Sequence, residues 1–470
     1  MAVIERLIVQ SFTRNRPLVV TGAKGSGKTT LMKSYAGQFS NWIHLDLETM
    51  VDRAIFNYDV SVDEMLKAIS FLKGKELRGS GTMILLDEIS FCPGAVSWFT
   101  KILDQRKSGI VADKTGASGS SHENNFSNQL PYFAATASVM TPELAGCIKH
   151  GAHDIQVCHL SPFSFEEFLI MMADKSALEA FREVPVPYYA YEKLLAYFHQ
   201  YTLTGGMPEI ASMYADTRRF TSLKKIYGEA EEQFLQLLPE VTKGSQSRLL
   251  AREVLQSAYP FAATRVNFNQ FGNLGKGSRE IGRAFKAIEN IYFLKLLKPV
   301  TSTTTPTIPN DLKSPRVQLV DTGLVNFFAG IQKPLYQSHD MNAIFEGQIA
   351  RQVVGQEIMA TNQIANGVSP VNFWIRNKAQ SNAEVDFVIE FRDLLIPVSV
   401  KSGEPGRLRS LHQYIDDSPH SYAVRLYAGM LTVQQATTVR GKKFYLLNLP
   451  YFLAGKIRDH LKGFIRFTSE

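Results

Sequence analysis

The eight residues Gly22–Thr29, GAKGSGKT, constrain this chain more than any other stretch. They match the pattern G-x-x-x-x-G-K-[S/T] at every fixed position. LVVTG (18–22) before them reads as a buried strand, and TTLMKSYAGQF (29–39) after them as a helix. A strand, a glycine-rich turn and a helix in that order make an anion site. Backbone N–H groups turn inward around phosphate oxygens, and the positive end of the helix faces them. The ligand implied is a nucleoside triphosphate, ATP, with Mg²⁺. Its contacts are expected from Gly22, Ala23, Lys24, Gly25, Ser26, Gly27, Lys28, Thr29 and Thr30. Lys28 would reach the β- and γ-phosphates, and Thr29 would give an oxygen to the metal.

Further apolar runs follow. NWIHLDLE (41–48), TMILLDEIS (82–90) and YFAATAS (132–138) read as strands between helical segments. That alternation predicts an α/β domain with a parallel sheet covered by helices. Asp46 and Glu48 fall near the site end of the second strand, and Asp87 and Glu88 emerge from the third. Asp87 would hold Mg²⁺ through water. Glu88 would orient and polarise the attacking water. Taken alone, the pair reads equally as a core strand ending in solvated acids; the P-loop upstream favours the catalytic role. Thr136 and Ser138 end the next strand, where they either sense the γ-phosphate or simply close the strand. An arginine finger would stabilise transition-state charge, but none can be placed. Arg106 and Lys149 are candidates by position only, with a surface role as the alternative.

At 470 residues the chain is long enough for two to four domains of about 150 residues each. It is 45% hydrophobic and 20% charged, which is ordinary soluble chemistry. A net charge of +7 is compatible with nucleic acid without requiring it. Cys92, Cys147 and Cys158 form neither a paired framework nor a metal-ligand spacing, which fits a reducing cytosol. The N-terminal stretch, broken by Glu5, Arg6 and Gln10, does not read as a signal peptide, and no apolar run is long enough to cross a bilayer. A cytoplasmic protein without a membrane partner is expected. Residues 105–130, rich in Gly, Ser and Asn, read as an exposed loop, and 160–260 as helical. Residues 301–315 read as a loop or hairpin. After them WIRN, AEVDFVIEF and LLIPVSVK read as strands, and GQIARQVVGQEIM as a helix.

Taken together, these blocks resemble the prokaryotic AAA-type ATPases that carry an extra C-terminal domain. The likeness runs through TGAKGSGKTTLM, ILLDEISFCPG, the TAS strand end, LSPFSFEEFL (160–169) and YTLTGGMPEI (201–210). It continues through SPRVQLVDTGLVNFF (314–328), FEGQIARQVV (345–354) and EVDFVIE with IPVSVK (384–401). The insertion at 105–130 departs from the family, which joins these strands more briefly. The resemblance implies an ATPase core over 1–165, a helical lid over 166–240 and a winged-helix-like module over 241–312. It also implies a domain of restriction-endonuclease-like fold over 313–470, similar to archaeal Holliday-junction resolvases. It implies oligomerisation, with a hexameric ring as one form; with no arginine finger placed, a monomer or small oligomer stays open.

In the third part, Arg279, Arg283 and Lys286 lie at i, i+4 and i+7, on one helical face. Such a stripe meets DNA phosphates or is a solvated face; the residues alone support both. A nuclease of the implied fold needs carboxylates and a lysine around a metal. The candidates are Glu346 on a helix, Asp386 on one strand, and Lys401 on the next, with Glu384 two residues before Asp386. Ser399 stands where such nucleases carry a glutamate, and a serine removes a negative charge beside the cation. A vestigial nuclease site that keeps some DNA-binding surface is therefore expected. The functional expectation is an ATPase acting on DNA, duplex or branched. The alternatives are an ATP-controlled switch for protein partners and an ATP-gated nuclease.

Overall fold

The computed structural model describes residues 6–77, 79, 81–114, 130–337, 347–366, 370–377, 382–401 and 408–469. Its first part is a parallel sheet of five strands: β1 (Leu18–Thr21), β2 (Asn41–Asp46), β3 (Thr82–Asp87), β4 (Tyr132–Ala137) and β5 (Gln156–His159). Their order is β2-β3-β4-β1-β5, and every pairing is parallel. All residues of β1, β3 and β4 are buried. Strands covered on both faces need no apolar/polar alternation, which is why these segments read as unbroken apolar runs. Leu31, Met32 and Tyr35 of the P-loop helix (Lys28–Ala36) pack on one face with Val20 and Leu85. Trp98, Phe99 and Ile102 of the Pro93–Lys114 helix pack on the other with Val19, Ile84 and Phe133.

Two expectations are corrected in this sheet. The strand expected over 82–90 stops at Asp87, because Glu88 takes a left-handed backbone (φ 56°, ψ 51°) and a 3₁₀ turn, Ile89–Phe91, follows. The loop expected from 105 is helical through Lys114. The apolar spacing of Val96, Phe99, Ile102 and Leu103 carries the helix forward, and an isolated Ser108 or Gly109 does not stop propagation once the nucleus exists. Residues 115–129 of that stretch lie outside the described residues.

A helical layer follows, made of Phe165–Met171, Lys175–Arg182, Tyr191–Thr204, Pro208–Thr217 and Lys224–Val241. The first of these starts at Ser164, whose hydroxyl accepts from the Glu167 N–H while Glu167 accepts from the Ser164 N–H, a reciprocal capping box. Phe165, Phe168, Phe198, Tyr201, Tyr227 and Phe234 are buried in one core that continues into the rest of the chain.

Next come the helix Ser245–Ser257, a 3₁₀ segment Phe268–Asn273 and the helix Ser278–Asn290. They are followed by an antiparallel pair, β6 (Leu294–Leu297) with β8 (Arg316–Leu319). Arg265 adds a bridge to Arg316. The division between 312 and 313 therefore falls inside a hairpin. The connection between β6 and β8 is also tied to the last sheet: β7 (Pro299–Val300) pairs with β9 (Asn372–Ile375), and Thr307 Oγ1 donates to Glu390 Oε1 at 2.8 Å. That sheet holds β10 (Glu384–Phe391), β11 (Leu394–Val400), β12 (Tyr422–Tyr427), β13 (Thr432–Thr437) and β14 (Lys443–Pro450), in the order β13-β14-β12-β11-β10-β9-β7. The helix Gln348–Asn366 buries Val353, Val354 and Ile358 in the same core as Val398 and Val424. Among the described residues, no helix is long and apolar enough to cross a membrane.

Candidate active site

Three strand ends converge at the C-terminal edge of the first sheet. From β1 comes the P-loop. Gly22 (φ 152°) must lack a side chain, because a Cβ there would lie 2.4 Å from the Leu160 carbonyl oxygen. Gly27 (φ 91°) is the left-handed residue from which the P-loop helix starts. Lys28 folds back over the loop. Its Nζ donates to the Gly22 and Ala23 carbonyls at 3.1 Å each and to Ser138 Oγ at 2.7 Å, and lies 3.5 Å from Glu88 Oε1. Burial lowers the Lys28 pKa, and the Glu88 charge opposes that shift.

From β3 come the two carboxylates, and β4 positions both. Asp87 Oδ1 accepts from Thr136 Oγ1 at 2.5 Å and from Thr29 Oγ1 at 3.1 Å, while His44 Nε2 lies 3.0 Å from Oδ2. Burial pushes the Asp87 carboxyl up, but the hydrogen bonds from His44, Thr136 and Thr29 outweigh it and hold the pKa below its ordinary value. Glu88 donates its backbone N–H to Thr136 Oγ1 at 2.9 Å. Its carboxylate accepts from the Ser138 N–H at 2.7 Å and Ser138 Oγ at 2.5 Å. The left-handed backbone at Glu88 costs about 1–3 kcal/mol, a strain that persists only where surrounding bonds impose it.

This arrangement separates two acids by environment. Asp87 and the Thr29 hydroxyl form an oxygen pair suited to Mg²⁺. Glu88, held by Ser138 beside Lys28, can accept a proton from water. Glu48 reaches Lys24 at 2.6 Å, and Lys24 lies 3.8 Å from Glu88. Asp46 instead accepts from the Glu48 N–H at 3.0 Å, within its own turn. Arg106 is not brought to the site: it lies by Tyr132, the first residue of β4, at the opposite edge of the sheet. Lys149 is exposed on the helix Pro142–His150.

Between the P-loop and the helical layer lies a cavity of about 730 Å³, well within the size of small-molecule sites. Its walls include residues not singled out from the sequence. They are Arg6 and Val9 from the N-terminal segment, Phe163, and Pro208, Glu209 and Ser212 from the layer above. The run GGMP (205–208) carried a signal, since two glycines and a proline before a helix mark a tight approach. Gly206 indeed packs with a would-be Cβ 2.2 Å from the Phe163 carbonyl oxygen. Arg6 carried none.

The acidic residues of the last sheet meet a different partner. Arg316, 1% exposed, donates to Glu384 and to the Asp386 carbonyl, and its guanidinium stacks 4.3 Å above the Phe373 ring. Arg265 lies 3.7 Å from Glu384, and Arg351 4.0 Å from Asp386. Asp386 Oδ2 accepts from the Val400 N–H at 2.8 Å and Ser399 Oγ at 3.3 Å, which brings Asp386 and Ser399 together. Lys401 donates its N–H to Leu426, beyond the end of β11. Glu346 lies outside the described residues. Among the described residues, no group of three or more His, Cys, Asp or Glu could hold a metal ion. Arginines thus pair with Glu384 and lie beside the Asp386 carboxylate, where a bound cation would otherwise supply positive charge.

Arg279, Arg283 and Lys286 are exposed on one face of the Ser278–Asn290 helix, opposite buried Ile281, Phe285 and Ile288. Lys286 and Lys295 share Glu289, at 3.0 and 3.1 Å.

Comparison with protein families matches residues 14–169 to an AAA domain. Residues 195–335 and 346–452 match two domains of unknown function, DUF8612 and DUF4143. With the parallel sheet and the P-loop, residues 14–169 are an AAA-type P-loop ATPase domain. No curated protein matches the chain. Remote likenesses are found among solved structures. One is a signal transduction ATPase with numerous domains and a tetratricopeptide repeat sensor from Pyrococcus horikoshii. It is 13% identical, with a TM-score of 0.28, over 78% of this chain and 50% of the other. C. elegans PCH-2 is 14% identical, with a TM-score of 0.20, over 60% and 64%. Cdc6p from Pyrobaculum aerophilum is 12% identical, with a TM-score of 0.22, over 70% and 92%. The chain thus spans about half the length of the first of these.

Proposed function

We propose that this chain is a Mg²⁺-dependent ATPase whose nucleotide state sets how the Ser278–Asn290 helix holds DNA. In this reading the backbone of Gly22–Thr30 and the Lys28 ammonium bind the phosphates. Thr29 and Asp87 would hold Mg²⁺, which would neutralise charge on the phosphate oxygens. Glu88 takes the proton of the attacking water, and Thr136 and Ser138 fix both carboxylates while sensing the γ-phosphate.

One observation carries the coupling. Ser138 holds Glu88, and two residues later the Met140 N–H donates to the Asn290 carbonyl at 2.8 Å. Asn290 ends the helix that bears Arg279, Arg283 and Lys286. A displacement at the γ-phosphate sensor would thereby reach the C-terminal end of the helix that carries the basic face. We read the order helix, bridge at Arg265, short helix, helix, paired strands as a winged helix, whose last helix would meet the major groove. The final sheet is read as a restriction-endonuclease-like fold that does not cut, because Arg316 pairs with Glu384 and Arg351 lies beside the Asp386 carboxylate.

The test is binding of duplex and four-way DNA at increasing salt. If the two arginines each neutralise one phosphate, Arg279→Ala/Arg283→Ala shrinks the slope of log K against log salt by about 1.8. No binding at low salt, in a protein that hydrolyses ATP, rejects the DNA reading. The second reading, a switch for protein partners, then stands. It is favoured by the tie of the β6–β8 connection to the last sheet, through which a shift of the hairpin would reach that sheet's surface.

A further inference from the structure

Arg6 is a buried cation at the P-loop with a role the phosphate motif does not include. Its side chain is 7% exposed, and its bonds tie three segments that are far apart in the sequence. Nε donates to Glu167 Oε1 at 2.7 Å, Nη1 to the Ser26 carbonyl at 2.8 Å, and Nη2 to the Ser161 carbonyl at 2.6 Å and, more weakly, the Pro162 carbonyl at 3.4 Å. The guanidinium lies 4.8 Å from the Phe163 ring centroid. Its partner Glu167 is held from the other side, since the same carboxylate caps its own helix at Ser164 and accepts the Leu7 N–H. The cation is therefore rigid, and it is spent on protein oxygens.

The bond to Ser26 has a geometric consequence. The Ser26–Gly27 peptide is trans, and a planar trans peptide points its C=O and N–H in opposite directions. Arg6 draws the Ser26 carbonyl toward the helical layer, so the Gly27 N–H is turned the other way, into the loop. Gly27 precedes the first turn of the P-loop helix, whose N–H groups have no intrahelical acceptor. At φ 91° and without a side chain, Gly27 resists rotation of this peptide poorly. A rotated peptide would present a carbonyl oxygen to the phosphates, replacing attraction with repulsion.

We infer that Arg6 is a positioning residue that fixes the Ser26–Gly27 peptide with its N–H toward the phosphate chain, so that its loss weakens binding of phosphates rather than of the base. The inference rests on the nucleotide reading of the P-loop. Asp87 and Glu88 are held by Thr136 and Ser138, none of which touches Arg6, so turnover at saturation is expected to persist.

The experiment compares ADP and AMP binding by calorimetry in wild type, Arg6→Ala and Arg6→Lys, with ATP turnover in parallel. Charged hydrogen bonds of this kind lead us to expect ADP affinity to fall roughly 10–100-fold in Arg6→Ala. AMP affinity should change much less, kcat should stay near wild type as KM rises, and Arg6→Lys should recover part of the loss. Equal losses for ADP and AMP would show that Arg6 only anchors the helical layer, and would overturn the inference, as would a fall in kcat at unchanged KM. If Arg6→Ala does not fold, Arg6→Lys carries the same ADP-to-AMP comparison, with a smaller expected loss. A wild-type protein that binds no ADP refutes the nucleotide reading itself; undiminished ADP binding in the variants refutes only the role of Arg6.

Discussion

Glu357 should carry a large pH-dependent share of the stability of this fold. It is 1% exposed on the Gln348–Asn366 helix, and its Oε1 accepts the Tyr201 hydroxyl at 2.7 Å and the Phe165 N–H at 2.9 Å. Burial, more than any neighbour, pushes its pKa from 4.5 up to about 8, with Glu167 and Glu166 adding to the rise against the Tyr201 and Phe165 hydrogen bonds. A folded-state pKa above the unfolded one means that the folded chain keeps a proton the unfolded chain releases. The stabilisation is complete below pH 4.5 and is lost as pH rises to about 8. At about 1.4 kcal/mol per pH unit, the whole effect is of the order of 5 kcal/mol. Glutamine cannot ionise yet keeps an acceptor for Tyr201 and Phe165. Urea unfolding of wild type and Glu357→Gln, followed by circular dichroism between about pH 5 and 8, cancels every other titrating group in the difference. The variant should gain on wild type by about 1.4 kcal/mol per pH unit and level off near the folded pKa. Parallel pH curves for the two proteins would refute the buried, protonated carboxyl.

Two further outcomes follow from the sites. Glu88→Gln should bind ATP within a few-fold of wild type while turnover falls by about 10²–10⁴; equal turnover in single-cycle hydrolysis removes Glu88 from its role. Four-way DNA with Mg²⁺ or Mn²⁺ should remain uncut, because Arg316 already engages Glu384 and the Asp386 backbone. Cleavage that disappears in Asp386→Ala would contradict this.

Elements carried by a local pattern were legible in the sequence, and those assembled from distant residues were not. The P-loop, the MILLDE strand end and the strands over 384–400 each declare themselves within a few consecutive residues. Position on a strand end is enough to bring Asp87, Glu88, Thr136 and Ser138 together once the sheet is parallel. The end of β3 could not be read, since nothing in TMILLDEIS marks Glu88 as left-handed. In the sequence Arg6 is only a charge interrupting an apolar stretch; its partners Ser26, Ser161 and Glu167 are up to 161 positions away. Arg316 sits in the block SPRVQLVDTGLVNFF, but its charge acquires meaning only through pairing with Glu384 on another strand. Glu357, in a helix of otherwise regular pattern, reads as a surface acid until the Tyr201 helix is packed over it.

The coupling of nucleotide to DNA is tested most directly with Glu88→Gln, which is expected to hold ATP without consuming it. The measurement is the affinity of a fluorescent duplex by anisotropy, at one salt concentration, with saturating Mg²⁺-ATP and then Mg²⁺-ADP. The link from Ser138 through Met140 to Asn290 predicts affinities that differ by about fivefold or more between the two nucleotides. The same affinity in both states, with nucleotide binding verified, would contradict the claim that the P-loop governs the basic helix.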